Sequence, residues 1–352
     1  MLHSSVRREK SERALVEAAK GGDETAFREL IEPLARELGA YAYRMLGAFQ
    51  DAEDALQETR IKAWRHLSTY ERPHPEQPSF RAWVYRIATN TCLDMLRKEQ
   101  RRVLPQDVGP SVEPGPPATE MRSDIPWLEP YPDALLPVAA DPEATLRLHE
   151  SVRLALVRAM QVLPARQRAA LVLHDVLDFG VDEIAAMLET TGAAINSALQ
   201  RARATLDRTP IRVERDATAR ERRDAQKAEA IARFVHAWET GNMDGLVSML
   251  TQDAVMNMPP WVYWLDGRDA IAATITSSGT WQGVPRPGRY RIVPTALNGQ
   301  PAALAYVRMD DGRWVAVCMT VMTLDEDGRI SAMDVFVLPR HFATWGHPPA
   351  LE

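Results

Sequence analysis

Ten prolines fall between residues 102 and 146, from Pro105 to Pro142, and they divide the chain before anything else is read from it. Each fixes its own φ and withholds a backbone N–H, so neither a long helix nor an inner strand survives among them. Eight carboxylates against two cations accompany them. A segment so acidic and so poor in apolar bulk does not offset its ordering entropy, and it reads as an extended or disordered linker. One string is out of character: Ile125-Pro126-Trp127-Leu128-Glu129-Pro130-Tyr131-Pro132-Asp133, whose apolar residues belong docked against a partner surface.

What flanks the linker differs on its two sides. From about Glu12 to Arg101 apolar residues recur at helical spacing: Leu15, Ala18 and Ala19; Phe27, Leu30, Ile31 and Leu34; Leu56, Ile61 and Trp64. Breaks are expected at Gly21-Gly22-Asp23, at Gly47 and in the proline-bearing stretch Arg72 to Pro78, which makes residues 12–101 a helical bundle. Residues 147–209 return to helix. A short helix, Val181 to Leu188, and a longer one, about Ala193 to Leu206, joined by Glu189-Thr190-Thr191-Gly192, give a helix-turn-helix signal. An Arg-rich helical stretch, Arg208 to Lys227, leads into residues 225–352. That part opens with a helix, Ala228 to Leu250, followed by short runs at Ala254 to Met258, Tyr290 to Val293, Ala302 to Arg308, Trp314 to Met322 and Ile330 to Val337. The pattern is α+β, with a curled antiparallel sheet after the helices.

The formal net charge of -6 argues against nucleic acid only until it is divided along the chain. Residues 1–101 carry +1, 102–146 carry -6, 147–224 carry +2 and 225–352 carry -3. The acidity sits in the linker and the last domain, leaving room for local basic footprints. Cys92 and Cys318, far apart and in apolar settings, offer neither a disulfide framework nor metal spacing, so no metal and no cofactor is expected. No run approaches the ~20 apolar residues of a membrane helix. The expectation is a cytoplasmic protein with no membrane partner.

Two segments carry the chemistry of the first bundle. In Asp51-Ala52-Glu53-Asp54-Ala55-Leu56-Gln57-Glu58, three- and four-residue spacing puts Asp51, Asp54 and Glu58 on one helix face, either a solvated face or a match for a basic protein surface. Leu56 and Trp64 are left for the core. Further on, Phe80 to Lys98 interleaves aromatics with cations and an amide. Aromatic faces hold unstacked bases, Arg and Lys neutralise phosphates and Asn reads base edges, although Trp83 and Tyr85 taken singly also suit a core.

These two stretches, in this order and at this distance, resemble region 2 of extracytoplasmic-function sigma factors, from Ala14 to Arg101. The resemblance implies that Asp51, Glu53, Asp54, Gln57 and Glu58 dock on the clamp of the largest subunit of core RNA polymerase. It assigns Tyr70, Phe80, Trp83, Asn90, Asp94, Arg97 and Lys98 to the non-template strand of the -10 promoter element, where a flipped base is captured. Leu163 to Leu171 and the helix pair after it look like region 4, which reads the -35 element and rests on the polymerase β flap. Asn196, Ser197, Gln200, Arg201 and Arg203 are its candidate DNA contacts. The family commonly has Gly where Glu189 stands and a β-branched residue where Gly192 stands, so promoter affinity or preference is expected to differ.

The linker string is similar to a signature of those sigma factors that carry a SnoaL-like extension, with Trp127, Leu128, Pro130 and Tyr131 as docking residues. Two roles stay open for it. An acidic strap could occupy the basic cleft of polymerase, or its apolar cluster could pack on a neighbouring domain. Residues 225–352 resemble the SnoaL-like fold, a cone of curled sheet around a pocket. Trp238, Met258, Trp261 and Trp264, with Phe234, Met256 and Phe336, are candidates to line it around an unknown small ligand or simply to fill a core. Asp253 or Asp334 would serve if the pocket were catalytic, but no His partner stands at a recognisable spacing and no enzyme is expected. The domains read as 12–101, 102–146, 147–209 and 225–352, two all-α sigma domains followed by an α+β one. The expected function is promoter-directed initiation modulated by the chain's own last domain. Its competitors are a DNA-binding regulator fused to an isomerase or hydrolase, and an isomerase with a helical appendage.

Overall fold

A computed structural model describes residues 12–71, 79–98, 101–116, 120–138, 141–208, 217–278 and 287–351. The break expected at Arg72 to Pro78 lies outside the described residues, as do residues 209–216 of the Arg-rich stretch. The chain forms two compact units, Met1–Arg101 with Ala134–Ile211, and Arg102–Asp133 with Arg212–Glu352.

The first unit is helical. Helix α1 spans residues 12–20 and ends at Gly22, whose φ of 97° suits only a residue without a Cβ. The Asp23 carboxylate then caps α2 (Glu24–Ile31), accepting from the N–H groups of Thr25 and Ala26 at 2.8 and 3.1 Å. Helix α3 (Ala35–Leu46) stops at Gly47, in the left-handed region at φ 77°, and α4 (Phe49–His66) starts two residues later. Helix α5 (Phe80–Leu96) is capped by Ser79.

The buried stripe of α4 is Phe49, Ala52, Ala55, Thr59 and Ala63 rather than the expected Leu56, Ile61 and Trp64, which are half-buried. Small side chains let α3 and α5 approach the α4 backbone and leave the bulky ones on its flanks. Trp64 instead meets Phe27 edge-on at 5.1 Å.

After residue 134 the unit continues with α6 (Pro142–Glu150), α7 (Leu154–Met160), α8 (Ala165–Leu171) extended by a π turn at Val172–Val176, α9 (Val181–Met187) and α10 (Gly192–Leu206). Residues 142–146, expected within the linker, are already helix. Asp141 caps it and Pro142 occupies its first position, where a missing N–H costs nothing.

Two buried arginines fasten these helices to the first bundle. Arg44 donates to Ser151 Oγ at 2.8 Å and to the Leu148 carbonyl at 2.7 Å. Arg168 donates to the Met45 carbonyl and to Gln161 Oε1. Burial pushes the Cys92 thiol up to about 12, so it stays a neutral packing group.

In the second unit the helix expected from Ala228 to Leu250 is two helices, α11 (Ala217–Thr240) and α12 (Met243–Ser248). Gly241, at φ 72°, turns the chain between them, and Asn242 caps α12 through the Gly245 N–H. Among the described residues seven strands follow, with α13 (Arg268–Ala273) and α14 (Arg340–Thr344) between them: β1 (Leu250–Asn257), β2 (Trp264–Asp266), β3 (Tyr290–Leu297), β4 (Gln300–Arg308), β5 (Trp314–Leu324), β6 (Ile330–Phe336) and β7 (Ala350–Leu351). They form one sheet in the order β2-β1-β6-β5-β4-β3, with β7 pairing β5. It is antiparallel except that β1 and β6 run parallel, Asn257 lying opposite Asp334. Helices α11 to α13 share a core with the inner face of the sheet, Phe234, Leu246, Met256, Ile271 and Met333 among its members.

Candidate nucleic-acid interface and the strap

On α4, Asp54, Gln57 and Glu58 are exposed on the side opposite the small-residue stripe, and Asp51 and Glu53 are half-buried on its two flanks. The local ties of Asp54 and Glu58 are long: Gln50 Nε2 donates to Asp54 at 3.3 Å and Lys62 pairs with Glu58 at 3.5 Å. Burial raises the Glu53 carboxyl above its ordinary value. Ile61, half-buried, leaves apolar surface beside this acidic row, and Leu56 is half-buried at the edge of the stripe.

The expected -10 residues divide into two groups. Tyr70 and Phe80 are buried and meet half-buried Trp83 in an aromatic trio with centroids 5.3 to 5.7 Å apart. A base could stack on Tyr70 or Phe80 only after that trio opened. Asn90, Asp94, Arg97 and Lys98 are exposed, with Arg97 bonded to Asp94 at 2.9 Å. Tyr85 is fully core: its hydroxyl donates to Glu37 at 2.7 Å and its ring meets Phe179. Arg81 lies over the Phe179 ring at 4.2 Å and donates to the Leu177 carbonyl, joining α5 to the turn that precedes α9.

On α10, Ile195, Leu199 and Ala202 face inward while Asn196, Ser197, Gln200, Arg201 and Arg203 form one exposed arc. The Thr191 hydroxyl caps the helix through the Ala194 N–H, offsetting the weak start at Gly192. Arg203 is tied to Asp175, its Nε donating to Oδ2 at 3.1 Å. Burial would raise the Asp175 carboxyl, but the hydrogen bonds from Arg203 and His174 outweigh it and hold it below the ordinary range. A carboxyl held low contributes above its unfolded pKa and loses that contribution as pH falls through its folded one.

Glu189 sits at φ 51°, the left-handed region that favours glycine. Its carboxylate is bonded by Arg86 of α5 at 2.7 Å, one helical turn before Asn90. Sequence reasoning flagged Glu189 but not Arg86, because nothing in the spacing of α5 points to a partner 103 residues away. Replacing Glu189 with Gly relieves ~1 kcal/mol of backbone strain and forfeits an exposed pair worth no more than ~1 kcal/mol. Urea unfolding is therefore expected to find Glu189→Gly within about 1 kcal/mol of the parent. Glu189→Ala, which keeps the strain and loses the pair, should be the less stable of the two.

In the second unit, the described residues 102–116 and 120–133 hold only short 3-10 turns, at Pro105–Asp107 and from Asp133, and are otherwise irregular chain laid down on the sheet domain as a strap. Val103 bridges Trp127 in parallel, and the Leu128 N–H donates to the Val103 carbonyl, so the strap closes on itself. Trp127, Leu128, Pro130 and Tyr131 are buried. Buried Asn298, in the β3–β4 turn, exchanges bonds with Tyr131: its Oδ1 accepts from the Tyr131 N–H at 2.9 Å and its own N–H donates to the Tyr131 carbonyl at 2.8 Å. Glu129 is 3.3 Å from Arg340 and 3.5 Å from His341. Near the strap's start, the Gln106 N–H donates to Asn257 Oδ1, and Asn257 Nδ2 donates to Asp334 at 2.9 Å.

Asn298→Ala would orphan the Tyr131 N–H and place a Cβ-bearing residue without a compensating amide at φ 58°. Together these cost about 2–3 kcal/mol. Thermal unfolding of the full chain should show the loss.

The inner face of the sheet holds a cavity of about 60 Å3. Phe234, Trp238, Met256 and Met258 line it as expected, but Trp261, Trp264 and Phe336 do not. Strand alternation explains Phe336, which shares the opposite face with Asp334, while Met333 and Val335 point into the cavity. Trp264 faces the strap, its indole N–H donating to the Gly109 carbonyl at 2.8 Å, and Trp261 is packed in the turn after Met258. Neither acid considered for catalysis lines the space: Asp253 is exposed and Asp334 is committed to Asn257. Cys318, at the wall, is pushed up to about 12 by burial and carries no thiolate. Among the described residues no helix is long and apolar enough to cross a membrane and no cluster of side chains suits a metal ion.

Comparison with known proteins places these surfaces in a family. Residues 30–102 match Sigma-70 region 2, residues 153–206 match Sigma-70 region 4 and residues 231–333 match the SnoaL-like domain. The chain is 37% identical over 354 residues to the ECF RNA polymerase sigma factor SigG of Mycobacterium tuberculosis, covering 100% of this chain and 90% of that one. It is 28% identical over 311 residues to SigJ of the same organism, covering 86% and 88%. The crystal structure of the M. tuberculosis extracytoplasmic function sigma factor SigJ shares its fold, with a TM-score of 0.55 at 24% identity, covering 91% of this chain and 98% of that one.

Proposed function

The chain belongs to the extracytoplasmic-function RNA polymerase sigma factors, and from that premise we propose how its parts divide the work of directing core polymerase to promoters. The acidic row of α4, with Ile61 beside it, docks on the polymerase clamp. Helix α5 presents Asn90, Asp94, Arg97 and Lys98 to the -10 element, and the aromatic trio opens to receive a base from the non-template strand. Helix α10 enters the major groove of the -35 element, while the surface near α8 rests on the β flap. The working compartment is the one that holds polymerase, the cytoplasm.

The C-terminal domain regulates rather than catalyses. What supports this is the strap: the segment that runs from α5 to α6 in sequence belongs to the C-terminal unit, anchored through Asn257, Asn298 and Arg340. A domain that holds the connection between the two promoter-reading modules controls how far they can separate. It acts by favouring one arrangement of them over another, and whatever binds one arrangement better shifts the balance. A strap so held is withdrawn from the polymerase cleft until it is released. Deleting residues 225–352 should change output from a cognate promoter reporter several-fold, and unchanged output would remove the regulatory reading while leaving the sigma assignment intact.

A further inference from the structure

The cavity in the C-terminal domain has one wall that is neither helix nor strand. Ala303 and Ala305 put only methyl groups over the middle of β4, which leaves space between the sheet and Trp238 of α11, and Pro116 of the strap closes that space. Four hydrogen bonds hold the strap there. Trp264 Nε1 donates to the Gly109 carbonyl at 2.8 Å, the Val112 N–H to the Trp264 carbonyl at 3.0 Å, the Gly115 N–H to Thr274 Oγ1 at 3.2 Å, and the Tyr263 hydroxyl to the Gly115 carbonyl.

The lining defines what could enter. It is apolar apart from hydroxyls and a neutral thiol, with no ionised side chain to meet a charge. Trp238 adds a buried indole N–H that has no acceptor among the described residues. Size then decides how entry happens. An apolar cavity of roughly 150 Å3 takes benzene, and the space here, about 60 Å3, is under half of that. A ring therefore needs part of the wall to move, and Pro116 is the wall residue that the strap supplies. The sheet would have to break its ladder to make room, whereas residues 109–116 need only leave four hydrogen bonds.

We propose that this cavity takes a small uncharged molecule, a single ring or branched alkyl group bearing one acceptor oxygen, and that its entry lifts residues 109–116 off Tyr263, Trp264 and Thr274. The ligand binds the lifted state alone, so anything that weakens the strap raises its apparent affinity by the increase in that population. The consequence for transcription rests on the strap reading above; ligand entry does not.

The test uses the full chain with acetophenone as probe, read by calorimetry and by hydrogen exchange. Saturating acetophenone should speed exchange at the Val112 and Gly115 amides at least tenfold and leave the β4 amides unchanged. Tyr263→Phe, which removes one strap bond, should bind acetophenone three- to tenfold more tightly than the parent. Ala305→Leu, which fills the cavity, should abolish the response, with β4 exchange reporting whether that variant is folded. The proposal is overturned if neither the parent nor Tyr263→Phe binds, if binding leaves the strap amides unchanged, or if folded Ala305→Leu responds like the parent. No promoter is read in this experiment, so its failure and a failure of the sigma-factor reading are separate results.

Discussion

Reversing two charges on α4, with Asp54→Lys and Glu58→Lys together, is expected to lower affinity for core polymerase by about a thousandfold, or ~4 kcal/mol. Both side chains are exposed and their local partners are a 3.3 Å amide contact and a 3.5 Å ion pair, so the fold loses almost nothing. A basic surface matched to this row would meet cations instead, and like charges forced together at an interface cost several kcal/mol. Native co-purification with core enzyme and a run-off transcription assay read the effect directly. Unaltered binding by the double variant would mean that α4 is a solvated face and that the polymerase is held elsewhere.

Arg44→Ala is expected to cost about 3–5 kcal/mol of folding stability, since two hydrogen bonds from a charged donor are lost at about 1.5–3 kcal/mol each. Arg44 is fully buried, and it spans two segments of sequence by bonding Ser151 and the Leu148 carbonyl. Truncation leaves those acceptors without their donor and opens a void in a fully buried part of the unit. Chemical denaturation followed by helical circular dichroism would show the loss. Arg44→Lys should recover only part of it, because an ammonium cannot place the two donors that the guanidinium sends to Ser151 and Leu148.

How much of this was legible in the sequence depended on the range of the interaction. Turns and caps are local, so Gly22, Gly47 and the helix-turn-helix boundary at Thr191 stood where the residues said they would. The Gly241 break was as local but was overrun by the apolar run on either side of it, and the Asp141-Pro142 start of α6 was hidden by the prolines before it. The residues of the exposed arc of α10 came from the family resemblance, whereas the stripe of α4 was read from periodicity and placed on the wrong residues. Bulk was mistaken for burial there, although a close helix crossing prefers alanine. The two arginines that join the helical segments, the Arg86–Glu189 pair and the strap's anchors at Asn257 and Asn298 bind residues at least 100 positions away. No spacing rule reaches that far. The composition of residues 102–146 suggested an extended or disordered linker and gave no sign of the turn at Pro105–Asp107, of α6, or of a partner sheet for residues 102–133.

The contact between Arg86 and Glu189 joins the segments that match Sigma-70 regions 2 and 4, each assigned to DNA in the function proposed above, and both members are at least half exposed to solvent. Such a pair is screened within roughly 8 Å at physiological ionic strength and weakens further as salt rises. A promoter phosphate brought up to α5 carries the same charge as Glu189 and competes for the same guanidinium, so nucleic acid itself can act as the solvent that dissolves this clasp. Ionic strength then pulls in two directions at once, loosening the clasp while also weakening DNA binding. Initiation by this protein should accordingly peak at an intermediate salt concentration rather than decline steadily from the lowest one.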